Sequence, residues 1–154
     1  MPSDKPSGPS RDSEISLGLL SSLLGYNLRR AQIAVFQNFT EMVGASELTP
    51  GQFGVLVVID ANPGLSQTQL GNALGIDRST VVAVIDRLES RGLVARQPSP
   101  HDRRSHALHL SDSGHATLRR LTDRVRAHER EIARNLSADE QARLVDLLGR
   151  VARR

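Results

Sequence analysis

Residues 66–92 read SQTQLGNALGIDRSTVVAVIDRLESRG. Ser66 with Gln69 three residues on forms a capping box, which opens a short helix that Gly75 closes. Asp77 is the N-cap of a second helix, Arg78 to about Ser90, closed by Gly92. A short helix, a tight glycine turn and a second helix make the helix-turn-helix layout. The second helix divides into two faces. Val81, Val84, Ile85 and Leu88 are spaced to pack inward, and Arg78, Ser79, Val82, Ala83 and Arg87 lie on the opposite side. Small side chains near a helix N-terminus let its backbone enter the major groove. Ser79 and Thr80 suit phosphates or base edges, Arg78 and Arg87 suit guanine or phosphate, and the methyls of Val82 and Ala83 suit thymine. Gln67 and Thr68, opening the preceding helix, add contacts at its N-terminal N–H groups.

Beyond Gly92 the period changes from helical to alternating. Leu93–Arg96 and Ala107–Leu110 read as two short strands, with Leu108 and Leu110 on one face. Between them lies the charged loop Pro98-Ser99-Pro100-His101-Asp102-Arg103-Arg104-Ser105. A hairpin directly after a helix-turn-helix is a wing, and an arginine at its tip suits the narrow minor groove. Asp102, two residues before Arg104, is placed to pair with it; the alternative for this loop is an ordinary charged surface turn.

Further out, Thr49-Pro50-Gly51-Gln52 combines an N-cap, a proline at the first helical position and a capping box. It opens a helix that the apolar stretch from Phe53 to Ile59 makes a buried one, closed by Asn62-Pro63-Gly64. A long helix is expected from about Glu14 to Val43, since Leu20, Leu24, Leu28, Ala31, Val35 and Met42 recur at helical spacing. Ser111 caps another, to about Asn135, and Ser137-Ala138-Asp139-Glu140 opens a last one carrying Leu144, Leu147, Leu148 and Val151. These outer stripes exceed what one small core absorbs, so a second subunit is expected. Residues 1–12, rich in Pro, Ser and Gly, read as a disordered tail. The division is therefore a tail (1–12), an N-terminal dimerisation helix (13–45), a DNA-binding lobe (46–111) and C-terminal dimerisation helices (112–154). The expected fold is mainly α with a small β-hairpin wing.

Composition is consistent with this. The 154 residues carry a formal net charge of +3. Residues 1–75 hold 4 basic and 6 acidic side chains, 76–110 hold 6 and 4, and 111–154 hold 10 and 7. Apart from Lys5 every cation is arginine, which suits bidentate phosphate and guanine contacts and equally reflects GC-rich coding. The absence of cysteine excludes disulfides, thiolate metal sites and thiol redox sensing. No apolar run spans a bilayer and no signal segment opens the chain, so a cytoplasmic protein without membrane contact is expected.

The strings Ile76-Asp77-Arg78-Ser79-Thr80-Val81, Leu88-Glu89-Ser90-Arg91-Gly92-Leu93-Val94 and Asp102-Arg103-Arg104, followed by Leu108-His109-Leu110-Ser111-Asp112-Ser113-Gly114, resemble the MarR family of bacterial regulators. The resemblance covers about residues 14–152. It implies a homodimer held by its first and last helices, one winged module per subunit, and a pseudo-palindromic double-stranded DNA operator. By position Asp102 and Arg104 match the family's wing pair, and Ser79 and Thr80 its recognition-helix contacts. It also implies a small-molecule effector that releases DNA.

Gly25-Tyr26-Asn27-Leu28-Arg29-Arg30-Ala31-Gln32 is similar to members that control catabolism of plant-derived aromatic acids, some recognising acyl-CoA thioesters. Tyr26, Arg29 and Arg30, with Phe36 and Phe53, are the corresponding candidates for an aromatic wall and an anion site; core or interface roles for them stay open. His101, His106, His109, His115 and His128 lack metal-ligand spacing and are expected at the surface or near DNA. No cofactor, metal or catalytic motif is legible, so an enzyme is not expected. The alternative to a DNA reader is a winged-helix adaptor that binds proteins.

Overall fold

The computed structural model describes residues 15–45, 47–99 and 106–153. The chain packs as two units divided between Ile33 and Ala34. In the first, a 3-10 turn at Gly18–Ser22 precedes α1, Leu24–Val43, where one unbroken helix from Glu14 was expected. The break has a local cause. Gly18 sits at φ +52°, and the Ser21 and Ser22 hydroxyls donate to the carbonyls of Gly18 and Leu19. Asn27 Nδ2 donates to the Ser21 and Leu23 carbonyls at 3.0 and 2.9 Å. These side chains occupy carbonyls that a continuous helix would use.

The second unit holds the rest of α1 and the elements α2 (Pro50–Ala61), α3 (Gln67–Leu74), α4 (Arg78–Ser90), β1 (Val94–Pro98), β2 (His106–Leu110), α5 (Asp112–Ile132) and α6 (Ala138–Ala152). The capping boxes at Thr49, Ser66 and Ser137 are all formed, and the Asp77 and Ser111 side chains accept from the third backbone N–H of their helices. Gly75 ends α3 at φ +65°, the left-handed conformation a helix C-cap takes. β1 and β2 pair antiparallel with Val94 opposite Leu110 and Arg96 opposite Leu108. Leu108 also exchanges both main-chain bonds with the turn after α2, donating to the Leu65 carbonyl and accepting from Gly64 N. This second pairing seats the wing on the helical lobe.

The core is aliphatic. Leu56 and Ile59 of α2, Leu70 of α3, Ile85 and Leu88 of α4, Leu108 of β2 and Leu121 of α5 are fully buried. Each such side chain contributes about 1.5–3 kcal/mol of burial, and deleting one costs more through the cavity left. His128 departs from the surface position expected of it: it is 2% exposed. The reason is register, because His128 lies seven residues after Leu121 on the inward stripe of α5. Its Nδ1 donates to Asn38 Oδ1 at 2.7 Å and its ring meets Phe39 edge-on at 5.3 Å.

Two faces remain uncovered. Every described side chain of α6 is exposed, including Leu144, Leu147, Leu148 and Val151. In the N-terminal unit Ile15, Leu19, Leu20 and Leu24 are exposed as well.

Candidate nucleic-acid interface

The α4 helix is 13 residues long, about 20 Å at the usual rise, and suits a major groove about 12 Å wide. Its inward face is Val81, Ile85 and Leu88, buried, with Val84 half-buried. Arg78, Ser79, Thr80, Ala83 and Arg87 are exposed, and Val82 is half-buried. The sequence-derived division of the helix therefore matches the packing. Thr68 is exposed at the start of α3.

Asp77 organises the start of α4. Its Oδ1 accepts from Thr80 N at 2.9 Å and from the Ser79 hydroxyl, and its Oδ2 accepts from Thr80 Oγ1 at 2.6 Å. The Ser79 hydroxyl first, then the hydroxyl and N–H of Thr80, hold the Asp77 carboxyl far below the usual carboxylate range. An ionised carboxylate thus stands at the tip of the helix proposed to read bases.

Arg96, which sequence reasoning passed over, is the hub beneath this face. From β1 its Nη2 donates to Asp86 Oδ1 at 2.5 Å and its Nη1 to Glu89 Oε2. With the Gln67 amide turned so that its oxygen faces the guanidinium, Gln67 accepts from Nε and Nη2 at 3.0 Å. Gln67 is thereby half-committed to the protein rather than to an outside ligand. The network joins α3, α4 and β1, and its one guanidinium offsets part of the charge of two acids on α4. Asp86 and Glu89, three apart on α4, were the only local sign of it, because the partner arrives from a strand.

A second cluster lies at the α1–α2 turn. Glu47 takes Arg120 of α5 bidentately at 2.7 and 2.9 Å, Arg124 donates to the Val43 carbonyl and Arg91 to the Glu47 carbonyl. The Arg120 hydrogen bond holds Glu47 below its usual 4.5. Beside it a half-open cavity of about 250 Å3 is lined by Phe36, Leu48, Pro50, Arg87 and Arg91 among others. Phe53 is absent from that lining; it is half-buried against the core. In the N-terminal unit the Arg30 guanidinium lies 5.9 Å over the Tyr26 ring, with Arg29 exposed beside it. Asp102, Arg103, Arg104 and His101, like residues 1–12, lie outside the described residues. Among the described residues there is no cluster suited to a metal ion and no helix long and apolar enough to cross a membrane.

Comparison with known proteins gives this geometry a setting. A model of the MarR family matches residues 46–105. A Thauera aromatica protein described as a transcriptional regulatory protein for the hcr operon is 40% identical over 92% of this chain and 86% of its own. The solved repressor CouR, bound to a 23-mer DNA duplex, is 48% identical with a TM-score of 0.86, covering 92% of this chain and all of that one. CouR bound to p-coumaroyl-CoA is 45% identical with a TM-score of 0.83, covering 91% of this chain and 99% of that one. The PcaV regulator of Streptomyces coelicolor, solved with its natural ligand, is 37% identical with a TM-score of 0.83, covering 90% of this chain and 97% of that one.

Proposed function

Since the chain belongs to the MarR family of transcriptional regulators, we propose that it is a cytoplasmic, homodimeric repressor whose operator is released by an aromatic acid or its CoA thioester. The observation that carries this reading is the likeness to one repressor solved both on a DNA duplex and with p-coumaroyl-CoA. The matched family and the relatives named above are described as transcriptional regulators, which favours this reading over the adaptor alternative.

Within this reading α4 enters the major groove through Arg78, Ser79, Thr80, Val82, Ala83 and Arg87, with Gln67 and Thr68 of α3 at the flanking backbone. Arg103 and Arg104 serve as the minor-groove reader, with Asp102 pairing with Arg104 to hold its guanidinium. The uncovered apolar faces of α6 and of residues 15–24 supply the dimer contacts, so residues 13–45 and 112–154 dimerise and 46–111 bind DNA. Tyr26, Arg29 and Arg30 receive the effector's ring and anionic groups, the stacked Arg30 being already held over an aromatic face. Phe36 and Phe53 are tested separately, by substitution.

The deciding experiment is fluorescence anisotropy with the chain's own upstream intergenic DNA, with and without aromatic acids and their CoA thioesters. Tight binding relieved by one compound is the expected result. Binding that no compound relieves removes the effector, and absence of specific binding removes the operator. In the same assay Arg104→Ala weakens binding about tenfold or more while sedimentation still reports a dimer; unchanged affinity removes the wing role.

A further inference from the structure

Asp77 has a consequence for what α4 recognises. A hydroxyl carries one proton and two lone pairs. In Ser79 and Thr80 that proton is given to the same carboxylate, Ser79 to Oδ1 and Thr80 to Oδ2 at 2.6 Å. Hydrogen bonds to an ionised acceptor are about twice as strong as neutral ones, so the protons are not readily surrendered. Both side chains are exposed on the outer face of α4, and what they offer outward is lone pairs.

Major-groove edges differ in this respect. Adenine N6 and cytosine N4 carry amino donors, whereas guanine O6 and N7 and thymine O4 are acceptors. Phosphate oxygens are acceptors too, and an ionised carboxylate beside them is repulsive. We propose that Asp77 is a positioning residue that fixes the polarity of base reading: Ser79 and Thr80 accept from the amino group of an adenine or cytosine and do not donate to phosphate or to guanine and thymine carbonyls. This rests on α4 being the recognition helix and narrows what its first turn selects. The depressed Asp77 carboxyl keeps the arrangement charged across the pH range in which duplex DNA is stable.

The test uses the full chain and its operator, with single groups changed: the N6 amino of an adenine, the N4 amino of a cytosine, or the O6 or O4 carbonyl removed, or one phosphate replaced by a methylphosphonate. Each duplex is titrated with wild type, Ser79→Ala, Thr80→Val and Asp77→Asn, and couplings are read from double-mutant cycles. Asparagine is as good an N-cap as aspartate, so Asp77→Asn keeps the helix. Its Nδ2, however, donates where Oδ2 accepted, and so frees the Thr80 proton.

Coupling of about three- to tenfold between a hydroxyl and an amino deletion, and none to carbonyl deletions, is expected in wild type. In Asp77→Asn the Thr80 coupling to the amino group is lost. Coupling to a carbonyl or to a methylphosphonate instead, or couplings unchanged in Asp77→Asn, overturns the proposal while leaving α4 as the reader. Should Ser79→Ala and Thr80→Val bind every duplex as wild type does, the first turn of α4 does not touch bases, and both readings fall.

Discussion

At Gly114 the tolerance for added volume vanishes. A Cβ built there would stand 2.1 Å from the Leu93 carbonyl oxygen, which accepts from Ser111 N at 3.1 Å, while the Ser111 hydroxyl holds the Gly92 carbonyl at 2.5 Å. Neither backbone can yield without opening the junction of α5 with the wing. Gly114→Ala is therefore expected to lower the thermal midpoint by about 5 °C or more, whereas Gly54→Ala, in the helical α2 with open space at its Cβ, raises it slightly. Parallel melts of the two variants check this. Glu47 gives a pH signature. Its carboxyl is lowered in the folded chain by Arg120, so the clamp's stabilisation is complete above the ordinary value of 4.5 and is lost as pH falls through the folded value. The stability difference between wild type and Glu47→Gln should be full above the ordinary carboxylate value of 4.5 and fade as pH falls below it; a constant difference would assign the effect to packing. Ser111 was legible in the sequence as a helix cap. The Leu93 contact that makes the glycine necessary is a tertiary fact that local spacing does not carry.

Among elements, β1 and α4 are tied together through Arg96. Removing it leaves Asp86 and Glu89 uncompensated on the helix proposed to face DNA and frees Gln67. Arg96→Ala should reduce DNA affinity about tenfold at low salt, with a smaller difference at high salt, because the freed acids act through a screened field. Anisotropy titrations at two ionic strengths separate this from unfolding, which circular dichroism monitors. A difference that does not shrink with salt would point to displaced geometry rather than charge. Caps and hydrophobic period marked α2 to α6 to within a few residues, since both signals are local. They failed at the start of α1, where the period runs on through Leu20 and Leu24 while Ser21, Ser22 and Asn27 take the backbone carbonyls. They failed also for His128, whose polarity suggested the surface while its place in the α5 stripe put it in the core.

For the whole molecule, the uncovered stripe of α6 governs behaviour. Leu147 and Leu148 are 40% and 41% exposed in the single chain. In the proposed dimer, replacing Leu147 by Asp places a charge against apolar surface, so sedimentation should report monomer. DNA affinity falls with it, because a lone lobe contacts half an operator. A dimer that persists would move the interface elsewhere. Intact protein should bind with a strong negative dependence of log affinity on log salt, each neutralised phosphate contributing close to one unit of slope. A flat response would mean that the arginines of the α4 face are not at the backbone.

The Arg30–Tyr26 stack carries a spectroscopic consequence. The chain has one tyrosine and no tryptophan, so emission excited in the phenol band, beyond phenylalanine absorption, comes from one ring per chain, and that ring lies under a guanidinium at the start of α1. A compound that displaces Arg30 or lies against Tyr26 therefore perturbs the protein's one phenol emitter, once the compound's own absorption is subtracted, without a label.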